Sequence, residues 1–191
     1  MEAFVDFSQR YMHALFDVSH DTAHIMRVLD FAEQIMVSDE FKGSLTDEQR
    51  ERVQRLVYLH ETRDSKFEVP PELAAQLAEL FALDPILETL VAHVSFSHEQ
   101  KCPVRTHELC QKYPELRIVQ DADRLDALGL AGLLRMAAYC NKINRPFTNI
   151  ANHYDEKIVL IRGKTTHGDD LMDQRHATLA VLMDRLKNNE F

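Results

Sequence analysis

Three short segments carry side chains able to do chemistry. In SHDTAHIMRV, His20 and His24 stand four apart, so a helix holding both presents them on one face. In LVYLHETRDSK, an apolar run delivers His60 and Glu61 side by side. In IVQDADRLDAL, the acids Asp121, Asp123 and Asp126 interrupt an apolar stretch that favours helix. Carboxylates in such a stretch are costly to bury unless a cation or a metal answers them. A hydrolytic metal centre needs neutral imidazoles and carboxylates from separate elements, with positions left for water and substrate. Two histidines and two carboxylates suit Mn²⁺, Fe²⁺, Co²⁺, Ni²⁺ or Mg²⁺, and ligand type does not choose among them. Each piece also has a plain reading. A histidine on an amphipathic helix, a His-Glu pair at a helix end and acids in a helical run are ordinarily solvated.

The elements that must position these groups read as helices throughout. Residues 2–16 place Phe4, Phe7, Tyr11, Leu15 and Phe16 near one face. Asp21 or Thr22 can cap a second helix running to about Val37, with Ile25, Val28, Leu29, Ala32 and Ile35 or Met36 inward. Thr46 with Gln49 has capping-box spacing, and opens a helix bearing Val53, Leu56 and Val57 that ends near His60-Glu61. Pro70-Pro71 suit the first turn of a helix over 71–82, and Asp84-Pro85 starts another to about Ser97. Residues 98–114 are less regular. The run ELRIVQDADRLDALGLAGLLRMAAYC is nearly continuous in helix formers, with Gly129 and Gly132 as a bend or close-packing point. After NKINRPFTN, two more helices are expected near 151–162 and 168–188. No strand-like alternation persists anywhere. The expectation is an all-α, single-domain chain over 1–191.

Composition agrees and narrows the partners. The chain has 191 residues, enough for one sizeable core, and 45% of them are hydrophobic. Only 5 Gly and 6 Pro punctuate it, which favours long helices. A net charge of −9 repels nucleic acid and anionic membranes at long range. It still admits a phosphorylated small molecule, because a bound cation and local basic groups can invert the sign inside a pocket. Cys102, Cys110 and Cys140 have no CxxC spacing, so reduced thiols and a cytoplasmic location are expected. The N-terminus lacks a basic region followed by an apolar core, and no apolar run approaches the ~20 residues that span a bilayer.

The order of the three segments resembles the HD superfamily of metal-dependent phosphohydrolases, whose pattern is H…HD…D. SHDTAHIMRV is similar to the opening HDxxHxxRV motif of a single-domain subfamily, and VQDADRLDALG to its third motif. NHYDEKIVLIRGKTTHGDDLMDQRHATL is similar to its C-terminal segment, where an aromatic, a Lys and a later Arg recur. The resemblance runs from about residue 14 to 185. It implies a phosphodiesterase-like helical bundle with the metal held inside. Matched residue by residue, the implied ligands are His24, His60, Glu61 and Asp123, with Asp121 and Asp126 in supporting or structural roles. Glu61 departs from the family, which has Asp there; glutamate keeps the charge and adds a methylene.

Such a site implies hydrolysis of a phosphoester or phosphoanhydride in a small phosphorylated metabolite, a nucleotide foremost, with Glu61, Asp64 and His20 as the catalytic set. His20 could orient substrate or donate a proton, and its ordinary pKa of about 6.5 suits that. Asp64 could orient Lys66 or activate water. Lys66, Lys157 and Arg124 are the candidates for contacting phosphate, and Asp21 is expected to cap a helix. The alternative is a degenerate member of the same fold that binds a ligand, as a sensor or scaffold, without turnover. Nucleic acid and membrane are not expected partners.

Overall fold

The computed structural model describes residues 1–15, 22–63, 69–146 and 148–188, with the side chain of Leu15 left aside. His20, Asp21, Asp64 and Lys66 lie outside the described residues, so the expectations placed on them do too.

Helix α1 spans Glu2–Leu15 and α2 spans Thr22–Met36. α3, Asp47–Leu59, begins at the expected capping box: Thr46 accepts from the Gln49 amide, and the Gln49 side chain accepts from the Thr46 amide. It runs into a 3-10 turn, His60–Arg63. α4, Pro71–Ala82, opens on a proline that needs no N–H partner there.

The helix expected over 84–97 is two short ones, α5 at Leu87–Ala92 and α6 at Phe96–Lys101. Tertiary contacts replace helical ones at the break. Gln120 Nε2 donates to the His93 carbonyl at 2.8 Å, and His93 Nδ1 lies 2.8 Å from Thr106 Oγ1. The region expected to be irregular holds α7, Pro103–Lys112, again opened by a proline. α8 spans Pro114–Asp126 and α9 spans Gly129–Lys142. Gly129 makes the turn between them at φ +71°, a region that costs glycine little. α10, Thr148–Glu156, starts and ends earlier than expected; the chain then makes a short 3-10 turn that turns Ile158 and Ile161 inward. α11, Thr166–Lys187, closes the order. No strand occurs among the described residues, and the architecture is all-α.

α8 lies centrally, packed against α2, α3, α7, α9 and α11. Its Leu116, Ile118, Val119, Ala122 and Leu125 are fully buried. They meet Val28 and Ile35 of α2, Val53, Leu56 and Val57 of α3, and Met172 and Leu179 of α11 in one apolar cluster. Full burial of such a side chain contributes about 1.5–3 kcal/mol, so this cluster fixes α8 firmly. Phe4, Phe7 and Tyr11 of α1 join it as their spacing suggested. Both Ile35 and Met36 are inward, whereas Leu29 is half-buried. The three cysteines are free thiols, with Cys110 and Cys140 buried. Among the described residues, no helix is long and apolar enough to cross a membrane.

Candidate metal centre

The three helices that meet at the core carry the site. α2 contributes His24, the 3-10 turn that follows α3 contributes His60 and Glu61, and α8 contributes Asp123. One ligand atom from each lies within 4.8 Å of every other. His24 Nε2 is 3.1 Å from His60 Nε2 and 3.1 Å from Glu61 Oε1. His60 Nε2 is 3.4 Å from Glu61 Oε1, and Asp123 Oδ1 is 3.7 Å from both imidazoles. His24, His60 and Glu61 are buried; Asp123 is partly open.

The other ring nitrogens are already committed. His60 Nδ1 lies 2.7 Å from the Val57 carbonyl, which can only accept, so that nitrogen carries a proton. His24 Nδ1 lies 2.7 Å from the Asp126 carboxylate, which sets the same tautomer. Both Nε2 atoms therefore present lone pairs to each other and to two carboxylates. Four acceptors facing one point repel unless a cation or proton sits among them. Ligands about 2.1 Å from a shared ion stand roughly 3.0–3.4 Å apart, as His24, His60 and Glu61 do, with Asp123 farther off at 3.7 Å from each imidazole. The donor set thus fits a divalent ion. Without one, a proton must serve: burial would lower the His60 pKa, but the Glu61 hydrogen bond and the charges of Glu61 and Asp123 outweigh it and push it up to about 9. For Glu61, burial works upward, and His24 and His60 overcome it, holding the carboxyl well below its usual range.

Glu61 reaches the cluster despite its extra methylene. The other acids of α8 face elsewhere. Asp121 accepts from the amides of Lys164 and Thr165 and from Thr165 Oγ1, each at 2.8 Å. It so anchors the start of α11, where Thr165 caps Gly168. A Cβ on Gly168 would stand 2.4 Å from Asp121 Oδ2, so the close approach needs glycine. Asp126 lies under His24, Arg27 and Arg135.

His60, Glu61 and Asp123 open onto a cavity of about 690 Å³. Its described lining includes the cations Arg63, Lys101, Arg124, Arg135, Arg145 and Lys157 and the acids Glu61, Asp123 and Glu156. Arg63, Arg124 and Arg135 are ion-paired with Glu88, Glu99 and Asp126, but the guanidinium and ammonium groups on the wall still offer donors suited to an anionic ligand. Phe96, Tyr139, Asn149 and Asn152 add flat and amide surfaces. Lys157, singled out in the sequence, is on this wall with Nζ 2.8 Å from Ser97 Oγ. Arg124 is there too, but its guanidinium pairs with Glu99 and donates to the Arg162 carbonyl at 3.3 Å. Sequence reasoning did not single out Arg135, Arg145 or the asparagines, because basic and amide residues on α9, α10 and the link between them look like any solvated face until the cavity is seen.

The sequence profile of the HD domain matches residues 22–128, more than half of the chain, and that span contains all four cluster residues. This chain belongs to the HD-domain family. Solved structures with the same fold span nearly the whole chain. A protein from Lactobacillus plantarum superposes with a TM-score of 0.72 at 20% identity, covering 98% of this chain and 95% of that one. Bacillus subtilis YpgQ, solved in complex with ADP, gives 0.66 at 20% identity with 98% and 95% covered. A HD-superfamily hydrolase from Bacillus thuringiensis gives 0.60 at 23% identity with 98% and 95% covered. At these identities the likeness shows the fold alone. No curated protein sequence matches the chain. As an HD-domain protein, the chain has in His24, His60, Glu61 and Asp123 a cluster that could hold a divalent metal.

Proposed function

We propose that this HD-domain protein is a metal-dependent phosphohydrolase acting on a nucleotide or a related small phosphorylated metabolite. The observation that carries the reading is the union of two features: four converging ligand atoms, and a cation-rich cavity that opens on three of their side chains. ADP in the related YpgQ structure adds support for a nucleotide.

His24, His60, Glu61 and Asp123 would hold the ion. When bound, it supplies a Lewis acid for water activation and for charge on a phosphoryl oxygen. The chain's own groups do the rest. His60 is fixed by the Val57 carbonyl and His24 by Asp126, so neither ring must reorient. Asp123, the most open of the four, faces the cavity from the ligand side. Lys157, Arg135 and Arg145 line the same space and would neutralise the remaining phosphate charge. Arg124, engaged by Glu99, would act on the field of the cavity more than as a direct clamp. His20, Asp64 and Lys66 keep their proposed parts in proton transfer, water activation and phosphate contact.

The test is a hydrolysis screen of nucleoside mono-, di- and triphosphates with each of the five metals, on the wild type and on His60→Ala. Turnover that needs metal and is lost in His60→Ala supports the reading. No turnover with any pair overturns it in favour of a ligand-binding sensor or scaffold. Glu61 in place of the aspartate expected in the family motif is the feature that favours that second reading.

A further inference from the structure

Asp126 touches both a proposed metal ligand and the cavity wall. Its side chain is completely buried, and three side chains converge on it. His24 Nδ1 is 2.7 Å from Oδ2, and Arg135 Nη1 is 2.8 Å from the same oxygen. Arg27 spans both oxygens, with Nε 2.5 Å from Oδ1 and Nη2 3.1 Å from Oδ2. Of the three groups on this carboxylate, Arg135 is the one that lines the cavity. His24 and Arg135 share one oxygen. A group that draws Arg135 toward the cavity loosens its hold on Oδ2 and strengthens the hydrogen bond that makes His24 a better donor.

We propose that Asp126 is a positioning residue with two duties. It holds His24 with Nε2 turned to the ion, and it tethers Arg135 on the cavity wall as a receptor for the anionic group of the ligand. Metal and anion occupancy are thereby coupled through a single carboxylate oxygen. The proposal rests on the reading of the four-residue cluster as a metal centre.

Mn²⁺ titration and inorganic pyrophosphate binding to the Mn²⁺-loaded protein test it. Asp126→Asn is expected to weaken Mn²⁺ affinity by about 10–100-fold, the usual effect of losing the partner of a ligating histidine. It should also weaken pyrophosphate binding by about tenfold, the scale of one charged contact. Arg135→Gln should weaken pyrophosphate by a similar factor and, by leaving Oδ2 to His24, keep Mn²⁺ affinity without anion at or above that of the wild type. Pyrophosphate should raise Mn²⁺ affinity less in Arg135→Gln than in the wild type. Asp126→Asn with both affinities unchanged would overturn the proposal. Should that variant not fold, histidine ¹⁵N spectra of the wild type loaded with diamagnetic Mg²⁺ decide: His24 must carry its proton on Nδ1, and a proton on Nε2 overturns the tether. A wild type that binds none of the five metals overturns the proposed function itself, and the coupling with it.

Discussion

Asp126 Oδ2 lies 2.7 Å from His24 Nδ1, across 102 positions of sequence. The contact exists because α2 and α8 pack against each other, with Val28 and Ala32 of the one and Val119 and Ala122 of the other buried in the same apolar cluster. The apolar seam that stabilises the bundle is thus also what sets the imidazole. A cavity-forming change in the seam should therefore disturb the site as well as the fold.

Glu61 decides whether the site is an intact variant or a drifted one. Its Oε1 is already 3.1 Å from His24 Nε2, so the longer side chain reaches the cluster. Glu61→Asp is expected to change metal affinity by less than tenfold, about 1.4 kcal/mol. Glu61→Gln removes the charge and should weaken affinity by more than the ~10–100-fold that losing an outer partner costs. Calorimetric titration with Mn²⁺ measures both. A large gain in Glu61→Asp would mark a drifted site.

Asp121 is expected to act on stability. It satisfies the Lys164 and Thr165 amides and the Thr165 hydroxyl in a fully buried setting. Asp121→Ala would orphan these donors at the start of α11 and cost about 3 kcal/mol. Urea unfolding should show the loss as a lower midpoint. Metal affinity of the folded protein should change far less than in Glu61→Gln.

Much of this was legible in the sequence, and the rest had identifiable causes. The Thr46 capping box, the inward faces of α1 to α3 and the grouping of His24, His60, Glu61 and Asp123 follow from local spacing or ordered motifs. The break at His93–Ser95 does not, because Gln120 and Thr106, distant in sequence, take over its polar groups. The separate duties of Asp121, Asp123 and Asp126 were hidden for a similar reason. Helical spacing points them in different directions, but only packing shows that one meets α11, one the cavity and one His24.

Acid stability should report on His93. Burial lowers its pKa below the ordinary 6.5, and His98 and Arg105 nearby lower it further. The fold therefore favours the neutral ring. Its contribution is fully present above about pH 6.5 and is lost as pH falls through the lowered folded value. Between about pH 7.5 and pH 5, urea midpoints of the wild type should fall more steeply than those of His93→Gln. Parallel curves would show that the ring is not held neutral.

The central claim is that His24, His60, Glu61 and Asp123 hold a divalent ion. Elemental analysis of the purified wild type and His60→Ala, after equilibration with each of the five metals and removal of excess, tests it most directly. The account predicts at least about one bound equivalent of one or more of these metals in the wild type and loss of it in His60→Ala, with the variant still folded. A wild type that retains no metal, or a His60→Ala variant that retains it equally well, would contradict the account.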